Sequence, residues 1–197
     1  MKSDAERCKE REAFLKIDAA FRNGDLTALR AAVDDPASVP NGPMPRTIGR
    51  CLVYAIYHSP LPFIRTLLAI GADPNPAVDD GFPPLIAALS CSHAQPGSAG
   101  RNDTFDIIKL LLAFDVDPNQ RGINDYTALH MAVSARHLPA VEALLEAGAD
   151  PRLRTRIDDH ETPLEMAQCA GLVEIVELLA AYQSRLEQRT HLQGAKD

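Results

Sequence analysis

Tryptophan is absent from this chain, and aromatic residues of every kind make up only 5% of it. A core so poor in rings must be filled by Leu, Ile, Val and Ala, which the 46% apolar content supplies and which suits closely packed helices. No apolar run approaches the roughly 18 residues that a membrane span requires. The stretch Met1–Phe14 (MKSDAERCKEREAF) is charged and lacks the apolar centre of a secretory signal, so a cytoplasmic location is expected. Excess positive charge is also missing: the formal net charge is −7. Neutralising phosphates needs a basic face, so nucleic acid is not expected as a partner, and an anionic membrane surface is equally disfavoured. The four cysteines, Cys8, Cys51, Cys91 and Cys169, stand apart with no CxxC pair. They indicate neither a zinc site nor a disulfide framework and are expected as small buried thiols.

Catalytic signatures are lacking too. There is no H-E-x-x-H, no phosphate-cradling G-x-x-x-x-G-K-[ST], no G-x-S-x-G and no dinucleotide fingerprint. No cofactor and no enzymatic activity are expected. Six histidines are present. A regulatory role in binding a metal or small ligand through His58, His93 and His160 stays open as an alternative.

What the sequence does contain is one phrase written three times. LLAIGADPN (Leu67–Asn75) and LLEAGADP (Leu144–Pro151) match closely, and LLAFDVDPN (Leu111–Asn119) matches with Asp115 in place of the glycine. The glycine positions 71, 115 and 148 are 44 and 33 residues apart. Downstream of each phrase a helix opening recurs: RCLVYA (Arg50–Ala55), PPLIAA (Pro83–Ala88), TALHMA (Thr127–Ala132) and TPLEMA (Thr162–Ala167). Each motif has a local reason. Threonine can cap free backbone N–H groups, proline fits the first helical turn, and glycine accepts the left-handed residue that ends a helix. Between opening and stop, apolar residues three and four apart, such as Val141, Leu144 and Leu145, form a single stripe. One helical pair cannot hide such a stripe, but neighbouring pairs stacked side by side can.

A period near 33 residues, with T-P-L-H-x-A opening one helix and LL-x-x-GADPN closing the next, resembles the ankyrin repeat. The resemblance runs over about residues 15–182. It implies an all-α fold, an ankyrin-repeat solenoid of about five helix-turn-helix units with short β-hairpin fingers. The units expected are an N-terminal capping repeat at 1–35, repeats at 46–76, 79–119 and 122–152, and a C-terminal capping repeat with a tail helix at 157–190. A proline-rich loop at 36–45 separates the first two. In the motif, His130 is expected to bond to nearby backbone or hydroxyl groups.

Two departures from the plain repeat stand out. Asp34–Thr47 (DDPASVPNGPMPRT) holds four prolines and an Asn-Gly pair, which no helix tolerates. The third unit is 11 residues too long, and the alignment places the surplus at Ser92–Asn102 (SHAQPGSAGRN), between its two helices. That segment is expected to be a surface loop, either a tolerated insertion or part of a binding face.

The resemblance further implies non-enzymatic binding of a protein partner on a concave surface made of the fingers and the exposed side of each first helix. Carried onto this chain, the finger positions are Asp79, Asp80 and Phe82; Ile123, Asn124 and Tyr126; Asp158, Asp159 and Glu161. The helix positions are Tyr57, His58, Ser90, Cys91, Ser134 and Ala135. Acidic finger tips would suit a partner with a basic surface, although aspartate is common in solvated turns and Arg152, Arg154 and Arg156 dilute the field. A monomer acting as an adaptor is expected. An inhibitor or immunity-type protein neutralising a toxin or enzyme is the alternative.

Overall fold

The computed structural model describes residues 3–42, 44–45, 48–77, 82–91, 101–156 and 160–194, with side chains described as far as 188. Of the expectations above, those on Asp79, Asp80, His93, Asp158, Asp159 and most of the insertion (92–100) fall outside these residues.

Among the described residues, ten α-helices follow one another in pairs. They are α1 (Asp4–Asn23) with α2 (Leu26–Ala32), α3 (Cys51–His58) with α4 (Leu61–Ala69), α5 (Pro84–Ser90) with α6 (Thr104–Leu112), α7 (Ala128–Ser134) with α8 (Leu138–Glu146), and α9 (Pro163–Cys169) with α10 (Val173–Gly194). Helices α1, α3, α5, α7 and α9 pack in sequence as one layer. Helices α4, α6, α8 and α10 pack as a second. Leu52, Leu85 and Leu129 recur at the same point of successive first helices, and Ile64, Ile108 and Val141 recur in the second helices. All six are buried in one continuous core, as mutual shielding of the stripes requires.

Local chemistry fixes where the helices begin and end. Ser3 and Glu6 form a reciprocal capping box, so α1 starts well before the repeat resemblance does. Thr162 and Glu165 form the same device at α9. Pro60 stands just before α4 without a side-chain cap, and Pro62 lies in its first turn. Gly71 and Gly148 end α4 and α8 at φ 94° and 92°, and Asp115 occupies the same left-handed region at φ 54°.

The finger between the third and fourth units is a tight turn, and no strand occurs among the described residues. Asn124 and Asp125 both adopt positive φ there. The chain therefore reverses inside the short 3-10 segment Ile123–Asp125, closed by the Gly122 N–H donating to the Tyr126 carbonyl at 2.8 Å. Adjacent fingers are tied where the Arg156 N–H donates to the Asn124 carbonyl at 2.9 Å.

An asparagine ladder runs along the C-terminal ends of α4, α6 and α8. The Asn41 amide donates to the Gly71 carbonyl (2.7 Å) and its Oδ1 accepts from the Asp73 N–H (2.9 Å). Asn75 does the same to the Asp115 carbonyl (3.0 Å) and Asp117 N–H (2.6 Å). Asn119 repeats it on Gly148 (3.1 Å) and Asp150 (2.7 Å). Each side chain meets one carbonyl and one N–H of the following unit's turn, satisfying backbone groups left over at a helix end. The proline-rich loop is thus more than a connector, because it supplies the first rung. Arg152 holds the corresponding place after α8, and its guanidinium folds back onto Asp150 at 2.8 Å.

The cysteines depart from expectation. Cys51 is buried and Cys91 half-buried, but Cys8 and Cys169 are exposed, because they fall on the solvent side of α1 and in the last turn of α9. Burial alone pushes the Cys51 thiol up to about 12.

Candidate partner-binding surface

The surface is bounded by the turns that precede α5, α7 and α9 and floored by the first-helix layer. On the rim, Phe82 and Ile123 leave 40% and 59% of their surface in water, although both are large and apolar. Tyr126 behaves differently. It is half-buried, edge-on to His130 with ring centroids 5.6 Å apart. Asn124 turns its backbone carbonyl to the next finger. The Glu161 carbonyl is used twice, accepting from the Thr155 N–H (3.2 Å) and facing His130 Nε2 (3.2 Å).

His130 lies fully buried beneath this rim. Its Nδ1 accepts from the Thr127 N–H (3.2 Å) and lies 2.8 Å from the Thr127 hydroxyl. A ring nitrogen that accepts from an N–H carries no proton, so Nε2 is the protonated one and donates to Glu161. Burial holds the imidazole below its ordinary range and keeps it neutral, as that pattern needs.

Along the floor, Tyr57, Ser90, Ser134 and Cys169 occupy equivalent positions of four first helices, each five residues after the recurring leucine. Tyr57 is half-buried and hydrogen-bonds Ser90; burial raises its phenol. The Ser90 hydroxyl also donates to the Ile86 carbonyl at 2.8 Å. Ser134 is exposed and Ala135 half-exposed. His58 packs against Tyr54, the rings tilted by 48° with centroids 4.3 Å apart. Burial lowers its pKa, and the Arg22 guanidinium adds to the effect.

Several carboxylates at and around the fourth and fifth turns face arginines. Asp125 lies 3.7 Å from both Arg121 and Arg156, Asp150 is 2.8 Å from Arg152, and Glu165 is 2.8 Å from Arg154. The Thr162 N–H, followed by Arg154, holds the Glu165 carboxyl down to about 2. Asp125, Asp150 and Glu165 thus each face at least one arginine.

Two groups escaped the sequence reading. Tyr54 donates to Asp18 (2.7 Å), which also takes the Arg22 guanidinium (2.8 Å), and together they fasten α1 to α3. Arg101 Nη1 donates to the Ile56 and Ser59 carbonyls (2.9 and 2.7 Å) while Nε and Nη2 hold Asp103 (2.8 Å each). The signal for the second was present: Arg101 is the single charged residue of Ser92–Asn102. Of the three histidines considered for a metal, His58 is packed against Tyr54, His160 Nδ1 faces the Thr155 carbonyl at 3.1 Å, and His93 lies outside the described residues. Among the described residues no three His, Cys, Asp or Glu side chains converge to hold an ion.

With this geometry in hand, comparison with known proteins is informative. The family model described as "Ankyrin repeats (3 copies)" matches residues 97–190. A "Putative ankyrin repeat protein" of Rickettsia bellii is 30% identical over 136 residues, which is 68% of each chain. The chain belongs to the ankyrin-repeat family. "Alpha-latrocrustotoxin-Lt1a" of Latrodectus tredecimguttatus is 31% identical over 114 residues, 57% of this chain but 7% of the toxin. "Ankyrin repeat and KH domain-containing protein mask-1" of Caenorhabditis elegans is 26% identical over 167 residues, 84% of this chain and 6% of the relative. The chain thus spans less than a tenth of these two much longer relatives. Ankyrin repeats are in general protein–protein interaction modules and typically non-enzymatic. Among the described residues of this ankyrin array, no helix is long and apolar enough to cross a membrane.

Proposed function

We propose that this ankyrin array is a non-catalytic binding module that holds a protein partner on the rim and floor just described. The observation that carries the reading is the exposure of Phe82 and Ile123. They are large apolar side chains on neighbouring turns of the same edge, where the stack has no use for them. Apolar anchors of this kind concentrate binding energy when a partner covers them. Beneath them, asparagine hydrogen bonds join the ends of successive second helices and the Arg156 N–H joins the last two turns, ties that leave less to be ordered on docking. Ser90, Ser134, Tyr57, His58, Asn124, Tyr126 and Glu161 complete the proposed surface. Asp79, Asp80, Asp158 and Asp159 belong to its rim by sequence position. A partner with a basic surface stays part of the proposal, resting on Asp79, Asp80, Asp158, Asp159 and Glu161 by sequence position. We further place the module in the cytoplasm as a monomer.

The test is affinity purification from the native host with the full chain, followed by the Phe82→Ala, Ile123→Ala double variant. The variant is expected to keep its helical circular dichroism and to bind the recovered partner at least tenfold more weakly. Undiminished binding would move the site away from this edge.

A further inference from the structure

The three asparagines of the ladder differ in the residue that follows each. Asn75 precedes Pro76 and Asn119 precedes Gln120, but Asn41 precedes Gly42. The fold requires each member of the Asn41-Gly42 pair for its own reason. Asn41 makes the first rung, and a Cβ at position 42 would lie 2.1 Å from the Ser38 Cβ, so only glycine fits there. Their adjacency has a chemical consequence. A backbone nitrogen can attack the side-chain amide of the asparagine before it, and glycine, lacking a side chain, obstructs that attack least. Pro76 has no N–H to give up and cannot react in this way. Gln120 carries a side chain, anchored by its amide on the Pro76 carbonyl at 2.6 Å.

We infer that Asn41 is a site of spontaneous deamidation and that the first rung of the ladder gates it. The Gly42 nitrogen forms a bond to the Asn41 Cγ and gives up its proton. The Cγ–Nδ2 bond breaks, and the amide nitrogen leaves with that proton as ammonia. Water then opens the resulting five-membered imide at either carbonyl, giving an aspartate or an isoaspartate whose backbone runs through the side chain. One water is consumed for each ammonia released, and no oxidant or reductant is needed. The folded chain holds both reacting groups away from this course. The Asn41 amide is engaged at both of its polar atoms, by the Gly71 carbonyl and the Asp73 N–H, and the Gly42 N–H donates to the Ser38 carbonyl at 2.6 Å. Asn41 is exposed, so water reaches it, but attack waits until the rung opens. Once formed, the carboxylate has no hydrogen to donate to the Gly71 carbonyl, and two acceptors face each other. The chain around Asn41 then loses its tie to the turn after α4, while the rungs at Asn75 and Asn119 stay whole. The change is irreversible and marks chains whose first rung has stood open.

The full chain would be held in mildly alkaline buffer, with and without urea, and conversion at the three asparagines followed by mass spectrometry of proteolytic fragments. In urea, Asn41 is expected to convert about tenfold or more faster than Asn119, with Asn75 unchanged. Without urea, Asn41 is expected to convert about tenfold or more slowly than with it, as a closed rung demands. Asn41→Asp supplies one product directly. It is expected to keep its helical circular dichroism and to speed hydrogen exchange at the Asp73 amide by about tenfold or more, leaving the Asp117 and Asp150 amides as they were. Equal conversion of Asn41 and Asn119 in urea would overturn the site. Equal conversion of Asn41 with and without urea would overturn the gate, and both of these comparisons use the unaltered chain. Unchanged exchange at Asp73 in Asn41→Asp would show that the rung survives the modification and would overturn its structural consequence.

Discussion

The third and fourth units stand side by side, with first helices of seven residues each (α5, α7) and second helices of nine (α6, α8). Their local sequences reach those equal dimensions by different means. The fourth unit has every recognisable device. Thr127 and His130 bond to each other at the start of α7, the His137 ring caps α8 by accepting from the Ala140 N–H (3.2 Å), and Gly148 ends α8. The third unit has none of these. Pro83 gives α5 no side-chain cap, a long insertion separates the helices, and Asp115 is forced to φ 54° where glycine would be comfortable. Its compensation is tertiary: every residue from Pro83 to Leu89 is buried, and Arg101 clamps the insertion's end to the carbonyls closing α3. Helix dimensions in this stack are therefore set by neighbours above and below, and the repeat motif is one of several ways to satisfy the ends.

The largest effect that would break the comparison is expected at His130. Replacement by alanine removes a fully buried ring and leaves the Thr127 N–H and Glu161 carbonyl without their partner, costing about 3 kcal/mol. A lower midpoint with an unchanged slope in urea unfolding would show it. The same residue gives a pH signature. Its folded pKa lies below the ordinary 6.5, so protons favour the unfolded chain. The stability it contributes is complete above about 6.5 and is lost as pH falls toward the folded value. His58 shifts in the same direction, so His130→Gln is expected to flatten, without abolishing, the decline in unfolding free energy between about pH 7 and about pH 5.

Next in size, Arg101→Ala is expected to cost about 2 kcal/mol, since two carbonyls and Asp103 lose a largely buried guanidinium. The fourth unit has no counterpart to lose. A change under about 0.5 kcal/mol would mean that unit three holds itself together without the clamp. The ladder sharpens the comparison from the other side, because it treats both units alike. Asn75→Ala and Asn119→Ala are each expected to cost about 1–2 kcal/mol, and their losses should agree within about 0.5 kcal/mol. The smallest effects are at the helix stops. Asp115→Gly should stabilise by up to about 1 kcal/mol. Gly148→Ala should destabilise by about as much, through conformation alone, since an added Cβ there meets nothing within 4 Å.

Legibility followed the distance between partners along the chain. The phrase around Gly71 and Gly148, the Thr-Pro and Thr-Ala openings and the role of His130 are short-range devices, and each could be read from neighbouring residues. Tyr126 and Tyr57, chosen on the same grounds, are half-buried because His130 and Ser90 lie against them. The ion pairs of Asp125 were not legible, because one of its two arginine neighbours, Arg156, comes from the next unit. Asn41 looked like part of a proline-rich breaker, because the turn it completes begins 30 residues later.

The amino-acid sequence on its own determined the repeat: a 33-residue rhythm of apolar stripe, capped start and left-handed stop follows from interactions reaching at most four or five positions along the chain. Only the tertiary structure decided which rings face water and which carboxylates are already matched. Those properties depend on which surfaces stacking brings together, and the side chains concerned lie about thirty to forty-five residues apart.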